Sequence, residues 1–162
     1  MTTTSTREGH ETGQPPELDE LDRKILQSYL FDARVSYREL GHKLGVSTTT
    51  IQSRTLKLEK AGVIRGYSAI LDHEKAGFQL TAITEVSVAK GKLLELEKDV
   101  AKLPQVLAVY DVTGLTDAIV IAKFRSREDL SKFTKVLLGM PFVERTNTHM
   151  VLTTVKEDFR LL

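Results

Sequence analysis

The run from Ser36 to Ala61 constrains the fold of this chain more than any other stretch. It reads SYRELGHKLGVSTTTIQSRTLKLEKA and predicts two short helices joined by a tight turn at Gly45. Ser36 and Glu39 have the S-x-x-E spacing of a capping box, in which each side chain satisfies a backbone N–H at a helix start. Gly45 suits the left-handed position just past a helix end, and Ser47 suits the cap of the next helix. A helix-turn-helix of the winged-helix-like kind is expected.

Further details of the sequence support this unit. Gly41 leaves room in the first helix for another helix to approach closely. Val46 and Ile51 flank the second cap at the spacing of a hydrophobic staple. Upstream, apolar residues recur at helical spacing and predict a helix from about Asp19 to Phe31.

Composition narrows the class of protein. The chain has 162 residues and no cysteine, which excludes disulfides and thiolate metal sites and allows one domain or two small ones. No apolar run approaches the roughly 20 residues that span a bilayer, and the N-terminus lacks the layout of a signal peptide. We expect a cytoplasmic protein without membrane contact.

The chain divides into four segments. Residues 1–17 hold almost no apolar side chain and are expected to be a flexible tail. Residues 18–62 form the helix-turn-helix, and residues 63–78 an extended linker strand and hinge. Residues 79–162 then alternate strand-like and helical patterns and form a second domain.

The second domain has the element order βαββαβ. Val106–Thr113 and Ala118–Phe124 are separated by a short glycine-containing turn, which is hairpin spacing. This order predicts an antiparallel sheet with both helices on one face, a ferredoxin-like α+β sandwich. The remaining predicted strands are Thr81–Ala89 and Thr146–Val155, and the predicted helices are Lys92–Leu103 and Arg127–Leu138.

The middle strands are apolar on both faces. In the first of them, alternation places Val106, Ala108, Tyr110 and Val112 on one face and Leu107 and Val109 on the other. Two helices cover only one face, so a second copy is expected to cover the other, giving a homodimer through this sheet. The alternative is that the N-terminal domain folds over that face within one chain.

Enzymatic chemistry is not indicated. The four histidines are scattered and no pair has metal-ligand spacing. The Ala-Lys-Gly-Lys run ending at Lys92 lacks the glycine spacing and the Ser or Thr of a phosphate-binding loop. We expect no catalytic residues, no metal and no cofactor.

These segments together resemble the Lrp/AsnC family of regulators, also called feast/famine regulatory proteins. The resemblance implies an N-terminal DNA-binding domain, a βαββαβ effector domain, dimers that gather into larger discs, and a response to amino acids. It covers all but about the first 17 residues, and the matching runs are LDELDRKIL (18–26), residues 32–71, YDVTGLTDAIV (110–120) and TNTHMVLTTVKE (146–157).

The second helix of the helix-turn-helix is expected to enter the major groove with its first turns nearest the base edges. The solvent-facing residues there are Thr48, Thr49, Gln52 and Ser53, which we predict to contact bases. We predict that Arg34, Arg38, Arg54 and Lys57 contact phosphates and set the register. For Arg54 the alternative is an ion pair with Glu59 or Asp22.

The hairpin Gly114 to Asp117 is the candidate effector site. A tight glycine-containing turn followed by Asp offers N–H groups to the carboxylate of an amino acid and a carboxylate to its ammonium, although such a turn is commonly only a turn. The resemblance places the effector at this hairpin, between dimers, with a contribution from the last strand. The implied residues are Thr113, Gly114, Leu115, Thr116 and Asp117, with Thr146, Thr148 and Thr153.

The sequence thus predicts a sequence-specific transcriptional regulator whose DNA affinity or assembly responds to a small effector, an amino acid by resemblance. Two alternatives stay open. One is an architectural protein that compacts DNA with weak sequence preference, and the other is an amino-acid sensor with secondary DNA contacts. The dependence of DNA affinity on sequence and on salt separates regulation from compaction.

Overall fold

The structure, a computed structural model, describes residues 16–162. Residues 1–15, which hold most of the predicted flexible tail, lie outside the described part. Within the described residues, 71–156 form one compact unit, and 16–70 together with 157–162 form the other. Each unit has its own apolar core.

The first unit contains three helices: α1 (Glu20–Phe31), α2 (Tyr37–Leu44) and α3 (Thr48–Lys60). The predicted capping box is present, because the Ser36 hydroxyl accepts from the Glu39 N–H and the Glu39 carboxylate accepts from the Ser36 N–H. Gly45 ends α2 in the left-handed region at φ 69°, and the Ser47 side chain caps α3. The helix-turn-helix forms from the local signals that predict it.

The core of this unit lies between the three helices. Ile25 of α1, Leu40 of α2, and Ile51 and Leu58 of α3 are buried together, and Val46 packs against them. Each helix therefore contributes apolar side chains to a shared core, which holds α3 in place by its inner face.

The segment after α3 differs from the predicted linker strand. Residues 61–64 form turns and bends, and residues 65–72 have no regular hydrogen-bonded structure. A strand needs a neighbouring strand to pair with, and within the described residues the four strands of the sheet all come from residues 80–150. The extended pattern of this segment is thus not used in a sheet of the single chain.

The second unit has the predicted βαββαβ order. Its four strands form one antiparallel sheet in the order β2-β3-β1-β4. The elements are β1 (Leu80–Val88), α4 (Leu93–Val100), β2 (Val106–Asp111), β3 (Ala118–Phe124), α5 (Arg127–Leu138) and β4 (Val143–Met150).

Both helices pack on one face of this sheet. Leu96 of α4 and Phe133 of α5 lie in one buried cluster with Val86 of β1 and Val120 of β3. The rings of Phe124 and Phe133 lie 5.2 Å apart at an angle of 51°. The predicted α+β sandwich is therefore confirmed.

The last strand is displaced from its prediction, since it begins at Val143 and ends at Met150. Its partner β1 sets both ends: Val143 pairs with Val88, Met150 pairs with Ala82, and the bond from Val151 N–H to the Thr81 carbonyl is the last cross-strand hydrogen bond. Helix α4 likewise ends at Val100 rather than Leu103, because turns precede Pro104.

A β-bulge in β2 changes which residues share a face. Val106 pairs with Ala122, but Ala108 pairs with Ile121, so the intervening Leu107 has no partner of its own. Val109 consequently faces the core beside Val106, whereas Ala108 and Tyr110 lie on the opposite face. The predicted division of this strand was wrong, although both faces do carry apolar residues.

Candidate nucleic-acid interface and effector hairpin

Helix α3 presents a polar face to solvent. Ile51, Thr55 and Leu58 point into the core, which turns the early residues of the helix outward. All four predicted base-contacting residues are exposed and share the first two turns: Thr48, Thr49, Gln52 and Ser53.

The cap of α3 forms a small hydroxyl network that was not predicted from the sequence. The Ser47 hydroxyl accepts a hydrogen bond from the Thr50 N–H at 3.1 Å and lies 2.8 Å from the hydroxyls of both Thr49 and Thr50. Because one hydroxyl supplies one donor and two acceptor positions, Ser47 is fully used. The Thr49 hydroxyl is held toward the cap. The sequence signal for this network is the Ser-Thr-Thr-Thr run at residues 47–50.

Three of the four predicted phosphate-contacting side chains are exposed, namely Arg34, Arg38 and Lys57. Arg34 also pairs with Asp32, its Nε lying 3.2 Å from a carboxylate oxygen, although its side chain is 92% exposed. Exposed ion pairs of this kind contribute little free energy and exchange readily with other partners.

Arg54 has a different environment. Its Nη1 donates to the carboxylates of Asp19 and Asp22, lying 3.2 Å and 3.3 Å from the two oxygens of Asp22. The side chain of Arg54 is 33% exposed. The ion pair with Asp22, the alternative considered for Arg54, is present. Glu59 instead accepts a hydrogen bond from the Tyr67 hydroxyl at 2.9 Å.

The two acidic partners belong to the N-terminus of α1. Asp19 caps this helix, accepting from the Asp22 N–H at 2.8 Å. That hydrogen bond, together with the guanidinium of Arg54, lowers the pKa of the Asp19 carboxyl below its ordinary value. The two carboxylates in turn raise the pKa of Arg54.

Two tyrosines lie behind α3. The Tyr29 hydroxyl is 3.2 Å from the hydroxyl of the buried Thr55, and the rings of Tyr29 and Tyr67 pack edge to face at 5.5 Å. Burial raises the pKa of the Tyr29 hydroxyl. Burial and the hydrogen bond to Glu59 likewise raise the pKa of Tyr67. These contacts fix the inner side of α3 and leave its outer side exposed.

The predicted effector hairpin is fastened to the end of β1. Asp117 accepts a hydrogen bond from the Val88 N–H at 2.8 Å and donates its own N–H to the Val86 carbonyl at 3.0 Å. The Thr116 hydroxyl also donates to the Val86 carbonyl, at 2.8 Å. One oxygen of the Asp117 carboxylate and the backbone N–H of this residue are thus used within the fold.

The tip of the hairpin is open to solvent. Leu115 is 97% exposed. Gly114 is exposed too and has φ 128°, a backbone conformation that L-residues rarely adopt. Thr113 is exposed beside it. The residues at the tip are accessible to a ligand, whereas the base of the hairpin is a structural joint.

The three predicted threonines of the last strand are placed differently. Thr146 lies opposite Val86, at the end of the sheet that carries the hairpin. Thr148 faces the core side, where its hydroxyl lies 3.1 Å from that of the buried Thr84. Thr153 is exposed and lies beyond the other end of β4. Within one chain, only Thr146 lies close to the hairpin.

The sheet face opposite the helices combines isoleucines with polar groups. Ile83 and Ile121 are paired in register near its centre, and Ile119 lies next to them along β3. On β4, the Asn147 amide nitrogen lies 3.2 Å from a Glu85 oxygen and 3.0 Å from the ring of His149. The face is apolar in the middle and polar toward β4.

Within residues 16–162, no helix combines the length and the apolar character needed to span a membrane. Nor do three or more His, Asp or Glu side chains cluster there in a way that could hold a metal ion.

Comparison with known proteins covers both units. Residues 18–65 match the family model described as winged helix-turn-helix DNA-binding, and residues 81–161 match the Lrp/AsnC ligand binding domain.

Relatives match along nearly their whole length. An uncharacterized HTH-type transcriptional regulator of Pyrococcus furiosus is 52% identical over 145 residues, which are 90% of this chain and 98% of the relative. The HTH-type transcriptional regulator FL11 of Pyrococcus horikoshii is 36% identical over 144 residues, covering 89% of this chain and 95% of the relative.

A solved structure is similar in fold and in sequence. A transcriptional regulator of Neisseria meningitidis, crystallised as its complex with L-methionine, has a TM-score of 0.83 and 32% identity, covering 90% of this chain and 97% of that chain. The family and these relatives are transcriptional regulators and not enzymes, as the sequence predicted. The chain belongs to the Lrp/AsnC family of DNA-binding transcriptional regulators.

Proposed function

We propose that this protein regulates transcription by recognising a specific DNA sequence with α3 and by responding to an amino acid at the hairpin of its second unit. The observation that carries the proposal is the orientation of α3. Its inner face is held by Ile51, Thr55 and Leu58, and its exposed face carries four hydrogen-bonding side chains at the capped N-terminal end. This is the end that a recognition helix directs at base edges.

The chemistry of that face favours A·T-containing sequence. Gln52 can bond to adenine through two hydrogen bonds, and Thr48 and Ser53 can bond to several bases. The Thr49 hydroxyl is turned toward the cap, which favours contact between its methyl group and a thymine methyl. Arg34, Arg38 and Lys57 supply exposed positive charge for phosphates.

The proposed effector is an amino acid, by analogy with the Neisseria relative solved with L-methionine. The exposed tip at Thr113, Gly114 and Leu115 would contact the ligand, and the second oxygen of Asp117 would accept from its ammonium. Because Asp117 and Thr116 also fasten the hairpin to β1, a ligand there would act on the joint between β1 and β3.

We further propose that the protein is a homodimer through the open face of the sheet, and that dimers gather into a larger assembly. Ile83, Ile119 and Ile121 give this face an apolar centre on the side away from both helices. A two-fold dimer would bind a pseudo-palindromic site whose half-sites lie about one helical turn apart, or a multiple of it.

Selection of bound DNA from random oligonucleotides tests the regulatory function. The expected result is a pseudo-palindrome bound at least about a thousand-fold more tightly than scrambled DNA at physiological salt. Gln52→Ala should relax the preference at one position of each half-site, whereas Lys57→Ala should weaken binding to all sequences alike. Equal affinity for selected and scrambled DNA, falling steeply with salt, would instead support DNA compaction.

The effector is tested separately, with the twenty amino acids added one at a time. At least one is expected to raise the thermal stability of the wild-type protein or to change its assembly state. If none does either, the sensor part of the proposal fails while the DNA-binding part stands.

A further inference from the structure

We propose that Arg54 positions the recognition helix and does not contact DNA. The guanidinium joins the middle of α3 to the first turn of α1, across 32 and 35 positions of the sequence. This inference rests on the proposed role of α3 in sequence recognition. It replaces the phosphate contact that the sequence predicts for Arg54.

The burial of Asp22 makes this contact difficult to exchange. Asp22 is only 1% exposed, and both of its carboxylate oxygens face the same Nη1 of Arg54. If Arg54 turned outward to a phosphate, the carboxylate of Asp22 would stay buried without its cation, which is costly. Arg34, in contrast, pairs with Asp32 in a solvent-exposed contact and is able to move.

The contact also controls the rotation of α3. Arg54 follows directly after Gln52 and Ser53, and Thr55 is held from the inside by the Tyr29 hydroxyl. Asp22, which contacts Arg54, lies near the start of α1, and Tyr29, which contacts Thr55, lies near its end. With two polar contacts to one neighbouring helix, α3 can neither turn about its axis nor slide without breaking a buried interaction. The base-contacting side chains are thereby presented in one orientation.

Three roles for Arg54 predict different binding data. A phosphate contact would lower affinity equally for all sequences and would flatten the salt dependence by about 0.9 in the slope of log K against log salt. A purely structural role would lower affinity for all sequences equally, through loss of folded protein, and would leave the slope unchanged. A positioning role lowers affinity for the selected sequence more than for scrambled DNA, again with the slope unchanged.

The experiment compares Arg54→Met with Lys57→Met in the full chain, using selected and scrambled duplexes at several salt concentrations. For Arg54→Met we expect the ratio of the two affinities to fall about tenfold, with a salt slope equal to that of the wild type. For Lys57→Met we expect an unchanged ratio and a flatter slope. A flatter slope in Arg54→Met, or an unchanged ratio, overturns the proposal.

Asp22→Asn gives a second test, in which a phosphate contact and a positioning role for Arg54 predict opposite changes in DNA binding. If Asp22→Asn released Arg54 to a phosphate, binding to every sequence should strengthen. The positioning role predicts instead that the affinity ratio falls, as in Arg54→Met, and that the double variant is no worse than either single one. Strengthened binding to both duplexes overturns the proposal.

Two controls distinguish an effect on DNA recognition from a loss of folded protein. Arg54→Lys retains the charge and is expected to keep most of the affinity ratio, and thermal unfolding reports whether each variant is folded at the assay temperature. A wild-type protein that shows no preference for any selected sequence contradicts the proposed function itself. An altered salt slope in Arg54→Met alone would contradict only the positioning role of Arg54.

Discussion

Asp117 accepts a hydrogen bond from the backbone N–H of Val88 at 2.8 Å. The carboxylate that is expected to bind an effector therefore also holds the hairpin against the end of β1. The same residue donates its N–H to the Val86 carbonyl. A substitution at this position therefore removes a structural contact and a charge together, and the two effects have to be separated.

Asp117→Asn and Asp117→Ala separate them. The amide oxygen of Asn can still accept from the Val88 N–H, so Asp117→Asn should retain most of the stability while losing the negative charge. Asp117→Ala leaves that N–H without its partner and should cost about 1–3 kcal/mol of unfolding free energy. Urea unfolding of both variants measures the difference.

The amino-acid response is then measured in Asp117→Asn. If the carboxylate binds the ammonium of the effector, this stable variant no longer responds to the amino acid that shifts the wild type. A normal response in Asp117→Asn would show that the effector does not use this charge.

Phe133 is expected to be the most sensitive position of the second core. It is 1% exposed and packs against Phe124, so Phe133→Ala should lower the unfolding free energy by about 3–5 kcal/mol. Val136 lies on the same helix but is 47% exposed, and Val136→Ala should change stability by about 0.5 kcal/mol or less. Similar losses in the two variants would contradict the assigned core.

Local sequence signals predicted much of this fold. Helix α5 and strand β3 have the predicted boundaries, because Ser126 caps α5 locally and β3 is a short apolar run with three consecutive β-branched residues, bounded by turn residues. The capping box at Ser36 and the left-handed Gly45 are local as well, and both are present.

Three of the differences from the prediction depend on residues distant in sequence. The ends of β4 are set by where β1 begins and ends, and the faces of β2 are exchanged by a bulge at Leu107 that no local pattern marks. The sequence alone places Arg54 on an exposed face of its helix, and this is why a phosphate contact was predicted for it. Its partners Asp19 and Asp22 lie more than thirty positions earlier.

Gly41 is closely approached, but by a turn and not by the helix that the sequence predicted. Close approach was expected from another helix, but a Cβ at Gly41 would lie 2.8 Å from the carbonyl oxygen of Val46, in the turn that leads to α3. Gly41→Ala should thus destabilise the protein by about 1–3 kcal/mol, although Ala is the better helix former. His42→Ala, at the exposed neighbouring position, should change stability by about 0.5 kcal/mol or less, and thermal unfolding compares the two.

The lowered pKa of Asp19 predicts how stability depends on pH. The Asp22 N–H and the Arg54 guanidinium lower the pKa of the Asp19 carboxyl from its ordinary value of 3.8. At a pH above 3.8, the ionised carboxylate therefore stabilises the folded state. This stabilisation is lost as the pH falls through the lower pKa of the folded protein.

Asp19→Asn keeps a capping side chain but cannot ionise. The wild type should therefore be more stable than Asp19→Asn near neutral pH, and the difference should shrink below about pH 4. Urea unfolding followed by the NMR signals of α1 measures the difference at each pH. A difference that stays constant down to about pH 2 would show that the charge of Asp19 does not stabilise this helix end.

Ile121 lies at the centre of the open sheet face and tests the proposed homodimer. It pairs with Ile83 on one side and Ala108 on the other, with its side chain directed away from both helices. Ile121→Glu should place a charge in the interface and weaken dimerisation at least about a hundredfold, because burying an unpaired carboxylate is strongly unfavourable. Sedimentation equilibrium should show the mass of the variant falling to that of one chain.

Leu94→Glu is the matched control, since Leu94 is 71% exposed on α4, in the helical layer. It should keep the mass of the wild type. If the first unit instead covers the open face within one chain, the wild type is monomeric and Ile121→Glu lowers stability without changing mass. The mass of the wild type and the effect of Ile121→Glu on it therefore distinguish the two arrangements.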